Sequence, residues 1–265
     1  MEPTTTAKRV LLLMTPATYR AGAFLAAAAA AEVEVVQGVD LPPALAEAWH
    51  APLAVDFSQP ERAAEAIAAF AQAQPLAAVL SVDDSASLVA ALASAKLGLP
   101  HNRPEAALAA RDKGVMRQAL ADGGVRCPTF RRFARASAPE DVAAQVSYPC
   151  VVKPLRLNGS RGVMRADTPA QCIAAFTRLR RLLEAEGDAP GADEILVEDY
   201  IPGVEVALEG ILAAGHLHVL ALFDKPDPLE GPFFEETIYV TPSRLGEAQR
   251  KEIENCAVDA VRALG

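Results

Sequence analysis

The sequence predicts an α/β protein: an N-terminal doubly wound parallel sheet, then a small α+β unit, then antiparallel strands. Three observations predict it. The first hundred residues alternate short apolar runs with helical stretches, the pattern changes to β-α-β-β-α after Gly123-Gly124, and three strand-like runs follow a polar linker at 186–193.

In order, Arg9 to Met14 reads as a strand, Tyr19 to Ala31 as a helix, Val33 to Gln37 as a strand and Glu61 to Ala73 as a helix. Ala77 to Val82 is the next strand and Ser85 to Leu97 the next helix. Short strands separated by helices imply a parallel sheet with helices on both faces, and such sheets bind ligands at the carboxyl ends of their strands. Thr15 to Arg20 and Asp83 to Ser87 sit at those ends, with Asp83 and Asp84 open to a simpler role as helix N-caps. Glu105 to Ala110 and Lys113 to Asp122 read as helices, the second stopped by Gly123-Gly124. Thr129 to Phe133, Pro139 to Val146, Cys150 to Lys153, Gly162 to Ala166 and Pro169 to Glu186 form the β-α-β-β-α unit, a small lid. Glu194 to Asp199, Val204 to Ala213 and His216 to Asp224 read as three antiparallel strands, the last two joined by Ala214-Gly215. Lys225 to Glu235 is a loop, and Glu247 to Leu264 a final amphipathic helix. The expected domains are 1–102, a helical linker 103–128 bearing Lys113, the lid 129–198, and 199–265.

Composition narrows the function. The 265 residues are 51% hydrophobic and 22% charged, which fits globular modules with sizeable cores. A formal net charge of −9 argues against broad attraction to nucleic acid or anionic lipid, so any anionic ligand must be held by locally placed cations. Four cysteines, Cys127, Cys150, Cys172 and Cys256, form no Cys-x-x-Cys pair, and no secretory or membrane-spanning pattern is present, so a cytoplasmic location is expected. His216 and His218 alternate on one strand without a third ligand at metal-site spacing, so no metal site is predicted. Neither Gly-x-Gly-x-x-Gly nor Gly-x4-Gly-Lys-Ser/Thr occurs, which disfavours nicotinamide dehydrogenases and P-loop kinases.

The richest stretch is 148–167, where an apolar run, Cys150 to Val152, carries Lys153, and a loop with Asn158, Gly159, Ser160, Arg161 and Gly162 follows. Small residues let backbone N–H groups approach polyanionic oxygen. An ordinary hairpin with a surface lysine is the competing reading. Upstream stands Arg111-Asp112-Lys113 with Met116-Arg117; downstream stand Val197-Glu198-Asp199-Tyr200-Ile201-x-Gly203-x-Glu205 and Glu235-Glu236-Thr237.

Together these motifs resemble the ATP-grasp superfamily, and within it carboxylate–amine ligases of the L-amino-acid ligase type, with biotin carboxylase and carbamoyl-phosphate synthase as more distant likenesses. The resemblance implies that Lys113 and Lys153 reach ATP phosphates and that Gly159, Ser160 and Arg161 belong to a phosphate-covering loop, with Lys153 and Arg161 nearest the chemistry. It implies that Glu198, Tyr200 and Ile201 read the adenine edge, that Val151 and Ile201 sandwich the ring, and that Glu205 accepts from the ribose hydroxyls. Glu209, Lys225 and Glu236 would face the cleft. It further implies an acyl-phosphate reaction consuming ATP with Mg2+, small carboxylate and amine substrates, and a homodimer. The family's magnesium ligands fall after the helix that reaches Gly265, so the expectation is a fragment inactive by itself, with an unpaired sheet edge after Val240; the alternative is a non-catalytic nucleotide-binding module.

Overall fold

The computed structural model describes residues 8–48, 50–187, 191–235 and 237–265. The chain forms two compact units, 1–111 and 112–265.

In the first unit, β1 (Arg9–Met14), β2 (Glu34–Asp40), β3 (Leu53–Val55) and β4 (Ala78–Ser81) make a parallel sheet in the order β3-β2-β1-β4. Alternation along β1 sends Leu11 and Leu13 to one side, into a core with Val36, Ile67 and Val89, and Leu12 and Met14 to the other, beside Leu25. Helices α1 (Ala21–Ala30), α2 (Pro60–Ala73), α3 (Ser87–Leu97) and α4 (Pro104–Arg111) complete this unit, with Ile67 of α2 and Val89 of α3 on the first face and Leu25 of α1 on the second. The doubly wound expectation is met. β3 escaped the sequence reading because three residues after Pro52 are too few to show a period. α1 begins at Ala21 rather than Tyr19, since Thr18 is tied to Asp83 by its hydroxyl (2.8 Å). Asp83 makes no capping bond; its carboxylate also accepts from the Thr15 amide (2.9 Å) and hydroxyl (3.0 Å), closing the end of β4 onto the loop after β1.

The second unit opens with α5 (Lys113–Asp122), capped by Asp112, whose side chain accepts from the Gly114 and Val115 amides. α4 thus ends the first unit and α5 begins the second. β5 (Phe130–Ala134), β6 (Cys150–Pro154), β7 (Met164–Ala166) and β8 (Glu194–Asp199) form an antiparallel sheet in the order β5-β8-β6-β7. Helices α6 (Pro139–Ala143) and α7 (Pro169–Ala185) cover one face, burying Cys150, Val152, Phe176, Leu179, Ile195 and Val197. β8 was expected beside the two strands that follow it and instead lies inside this sheet; its Ile195-Leu196-Val197 run is buried on both faces. β9 (Val206–Ala213) and β10 (His216–Asp224) make a separate ribbon, turned by Ala214-Gly215 with both residues at positive φ, and His216 and His218 are exposed on it. Asp224 bridges back to Val240, and α8 (Glu247–Leu264) packs on α5.

Candidate functional site

Strand alternation builds the site. With Cys150 and Val152 turned into the lid core, Val151 and Lys153 face the other side of β6, and Glu198 of β8 stands on that same side, opposite Val151 and diagonal to Lys153. α5 lies against this second face: Gly114 sits beside Arg132 and Leu155, close enough that a Cβ there would come within 3.0 Å of the arginine stem.

Four cations converge there. The Lys153 ammonium pairs with Glu198 Oε1. Arg117 grips both oxygens of the same carboxylate, Nε donating to Oε2 at 2.8 Å and Nη2 to Oε1 at 3.3 Å. Lys113 Nζ donates to the Leu157 carbonyl (2.8 Å), and its amide to the Leu155 carbonyl (3.1 Å). Arg156 pairs with Asp112 (3.1 Å). Both carboxylates are buried, Asp112 at 4% and Glu198 at 6% exposure. Four cationic and two anionic side chains leave this cluster at net +2 in a chain of net −9.

Protonation follows. Burial would push the Glu198 carboxyl up, but hydrogen bonds and charge from Arg117 and Lys153 bring it below its ordinary value. Lys113 is lowered, first by burial and then by the nearby Lys153 charge.

The remaining predicted residues divide. The 157–163 loop turns with Gly159, Ser160 and Gly162 at positive φ, and the space a side chain would take at Gly159 is open. Arg161, expected at the phosphates, is held by Glu186 just beyond α7, with its side chain 51% exposed. Glu198, expected at the adenine edge, spends both oxygens on cations, because a buried carboxylate beside Lys153 and Arg117 is drawn to them. The Tyr200 amide donates to the Pro149 carbonyl (3.0 Å), and the Arg165 guanidinium stacks on the Tyr200 ring at 4.1 Å. Val151 is buried and Ile201 is 64% exposed. Glu205 pairs with Lys225 (2.5 Å). Glu209 lies on the exposed ribbon, and Glu236 falls outside the described residues. Arg117 and Arg156 were passed over as site residues; the spacing of Arg117 four residues after Lys113, one helical turn, was the signal that could have found it.

A hollow of about 490 Å³ between α7, β7 and the 230–233 loop, lined by Arg165, Arg178 and Phe233 among others, shares no lining residue with the cation cluster. Among the described residues no group of three or more His, Cys, Asp or Glu side chains is placed to hold a metal ion. No described helix is long and apolar enough to cross a membrane.

A family profile described as "ATP-grasp domain" matches residues 146–265, and one described as "ATP-grasp N-terminal domain" matches 23–101. The chain is 29% identical over 190 residues to alanine–anticapsin ligase of Bacillus subtilis (strain 168), covering 66% of this chain and 40% of that protein. It is 29% identical over 180 residues to D-alanine–D-alanine ligase of Bordetella petrii, covering 64% of this chain and 52% of that protein. The match therefore spans about half or less of these relatives' length. The fold superposes on L-amino acid ligase from Bacillus licheniformis with a TM-score of 0.79 at 25% identity, covering 99% of this chain and 63% of that one. D-alanine–D-alanine ligase from Bacillus anthracis complexed with ATP gives 0.63 at 14% identity, covering 97% and 78%, a likeness of fold alone.

Proposed function

The chain belongs to the ATP-grasp superfamily, and on that premise we propose that it supplies the ATP-binding part of a carboxylate–amine ligase that joins small substrates, one of them an amino acid. The observation that carries the reading is the net +2 cluster of Lys113, Arg117, Lys153 and Arg156 where α5 meets the second face of the lid sheet. An excess of partly buried positive charge is costly, and a polyphosphate offsets it.

On this reading Lys113 and Lys153 bind phosphate oxygens as compact, mobile charges. The 157–163 loop covers the phosphates, with the open Gly159 position allowing backbone to approach. Arg161 must leave Glu186 to join them, which is cheap because a surface pair of this kind is worth about 0–1 kcal/mol. Ile201 and the Tyr200 carbonyl would border the base, and Glu205 would exchange Lys225 for ribose. Divalent metal, when bound, would neutralise charge on the phosphate oxygens. In the ligation itself a carboxylate oxygen attacks the terminal phosphorus, the bond to ADP breaks, and an amine then attacks the acyl carbon, losing a proton as phosphate departs. Lys113 and Lys153 offset the charge that accumulates, and the lid keeps water from the activated acid.

Functionally we divide the chain as 1–102, 103–128, 129–198 and 199–265, the second and third carrying the phosphate cations. The printed names of alanine–anticapsin ligase, D-alanine–D-alanine ligase and L-amino acid ligase support an amino acid as substrate. The test is product analysis of the protein incubated with ATP, Mg2+ and candidate amino acids. ADP and phosphate released in an amino-acid-dependent manner are expected. AMP and pyrophosphate would overturn the reaction class, and ATP binding without turnover would favour a nucleotide-binding module.

A further inference from the structure

Glu198 sits where phosphate-seeking lysine would be trapped. Its carboxylate is 6% exposed and holds Lys153 through Oε1. For Lys153 to serve a phosphate it must give up that bond, and a buried carboxylate stripped of its counter-charge is strongly disfavoured. We propose that Arg117 is a positioning residue that keeps Glu198 satisfied while Lys153 turns to the nucleotide, so the lysine can be delivered without baring a charge in the protein interior. The proposal rests on Lys153 as a phosphate ligand.

The geometry supports this division of labour. Arg117 reaches both carboxylate oxygens, Nε to Oε2 at 2.8 Å and Nη2 to Oε1 at 3.3 Å, whereas Lys153 shares only Oε1. When Lys153 departs, each oxygen keeps a donor. The guanidinium is a planar fork that stays protonated, which suits a fixed clamp; the ammonium on its flexible stem suits a group that changes partners.

Arg117 is also well mounted. It stands one turn after Lys113 on α5, and the first turn of that helix is fixed by Asp112, which accepts from the Gly114 and Val115 amides and from Arg156. Cap, clamp and lysine are therefore set by one element. Removing Arg117 would cut the cluster from net +2 to net +1 and leave Glu198 to Lys153 alone. The carboxylate would then compete with phosphate for the same ammonium.

The experiment is calorimetric titration of the 265-residue chain with ATP and, separately, with inorganic tripolyphosphate, which isolates the phosphate cations from base recognition. Arg117→Met is expected to weaken tripolyphosphate binding about tenfold, and Arg117→Lys, with one contact restored, about threefold. Arg117→Met combined with Glu198→Gln is expected to return to within about threefold of the unaltered chain, because Lys153 no longer has a carboxylate to hold it. A purely structural role for Arg117 would not give that recovery. Circular dichroism and thermal unfolding establish that each variant is folded, and if Arg117→Met is not, Arg117→Lys and the double variant decide.

Unchanged affinity in the folded Arg117 variants, or a double variant as weak as Arg117→Met, would overturn the proposal. Lys153→Met is the control on the underlying reading. If the unaltered chain binds neither ligand, or Lys153→Met binds as tightly as the unaltered chain, the phosphate-binding role of Lys153 fails and the proposal falls with it. If Lys153→Met weakens binding while the Arg117 variants do not, the Arg117 proposal alone fails.

Discussion

Lys113 holds its charge in a place that resists it: burial lowers its pKa, and the Lys153 charge lowers it further. The sign of the consequence is fixed. A base with a depressed pKa loses its proton at lower pH than an ordinary lysine, so a ligand that needs the ammonium loses affinity earlier on the alkaline side. Tripolyphosphate affinity should begin to fall below pH 10.5, the ordinary value for lysine, and Lys113→Arg should move that decline upward because guanidinium stays protonated. Titrations from neutral to alkaline pH check this, and an identical alkaline limb in both proteins would contradict it. Lys113 and Lys153 could be singled out in the sequence because each stands at the edge of an element beside a readable motif, and their phosphate role is the proposal made above. The fate of Glu198 was not: a carboxylate at a strand end looks the same whether it faces a base or two cations, and only the packing of α5 on β6 and β8 decides.

Elements, more than single residues, set the site. β6 and β8 each present one face to the α6/α7 core and the other to α5, and this two-sided burial is what pulled β8 out of the antiparallel group the sequence suggested. Apolar runs locate strands reliably, but the run Ile195 to Val197 carries no mark of which neighbours it pairs with. The loop between β6 and β7 gives a sharper test. Gly162 has φ of +77°, and a Cβ there would meet Leu179 Cδ1 at 2.9 Å and Leu182 Cδ2 at 3.0 Å, while Gly159, at φ +62°, has nothing within 4 Å. Gly162→Ala should therefore lose about 2–4 kcal/mol from strain plus overpacking, and Gly159→Ala only about 1 kcal/mol from strain. Urea unfolding of both variants measures the difference; equal losses would mean that the loop does not sit on α7 as described.

Across the whole molecule, charge is the organising contrast. A chain of net −9 gathers net +2 at the junction of α5, β6 and β8, and the surplus lies entirely within the 112–265 unit. The architecture of both units was readable from the alternation of strand and helix runs, with three-residue β3 and the pairing of β8 as exceptions set by length and by packing. Substrate choice was not readable, since the side chains that would select an acid or an amine carry no distinctive spacing. The most direct measurement of the central claim is ATP titration of the unaltered chain beside Lys113→Met and Lys153→Met, each shown to be folded. Both substitutions should weaken ATP at least about tenfold, roughly 1.4 kcal/mol each. Affinity unchanged by either substitution would show that the two lysines do not share a phosphate ligand and would contradict the account.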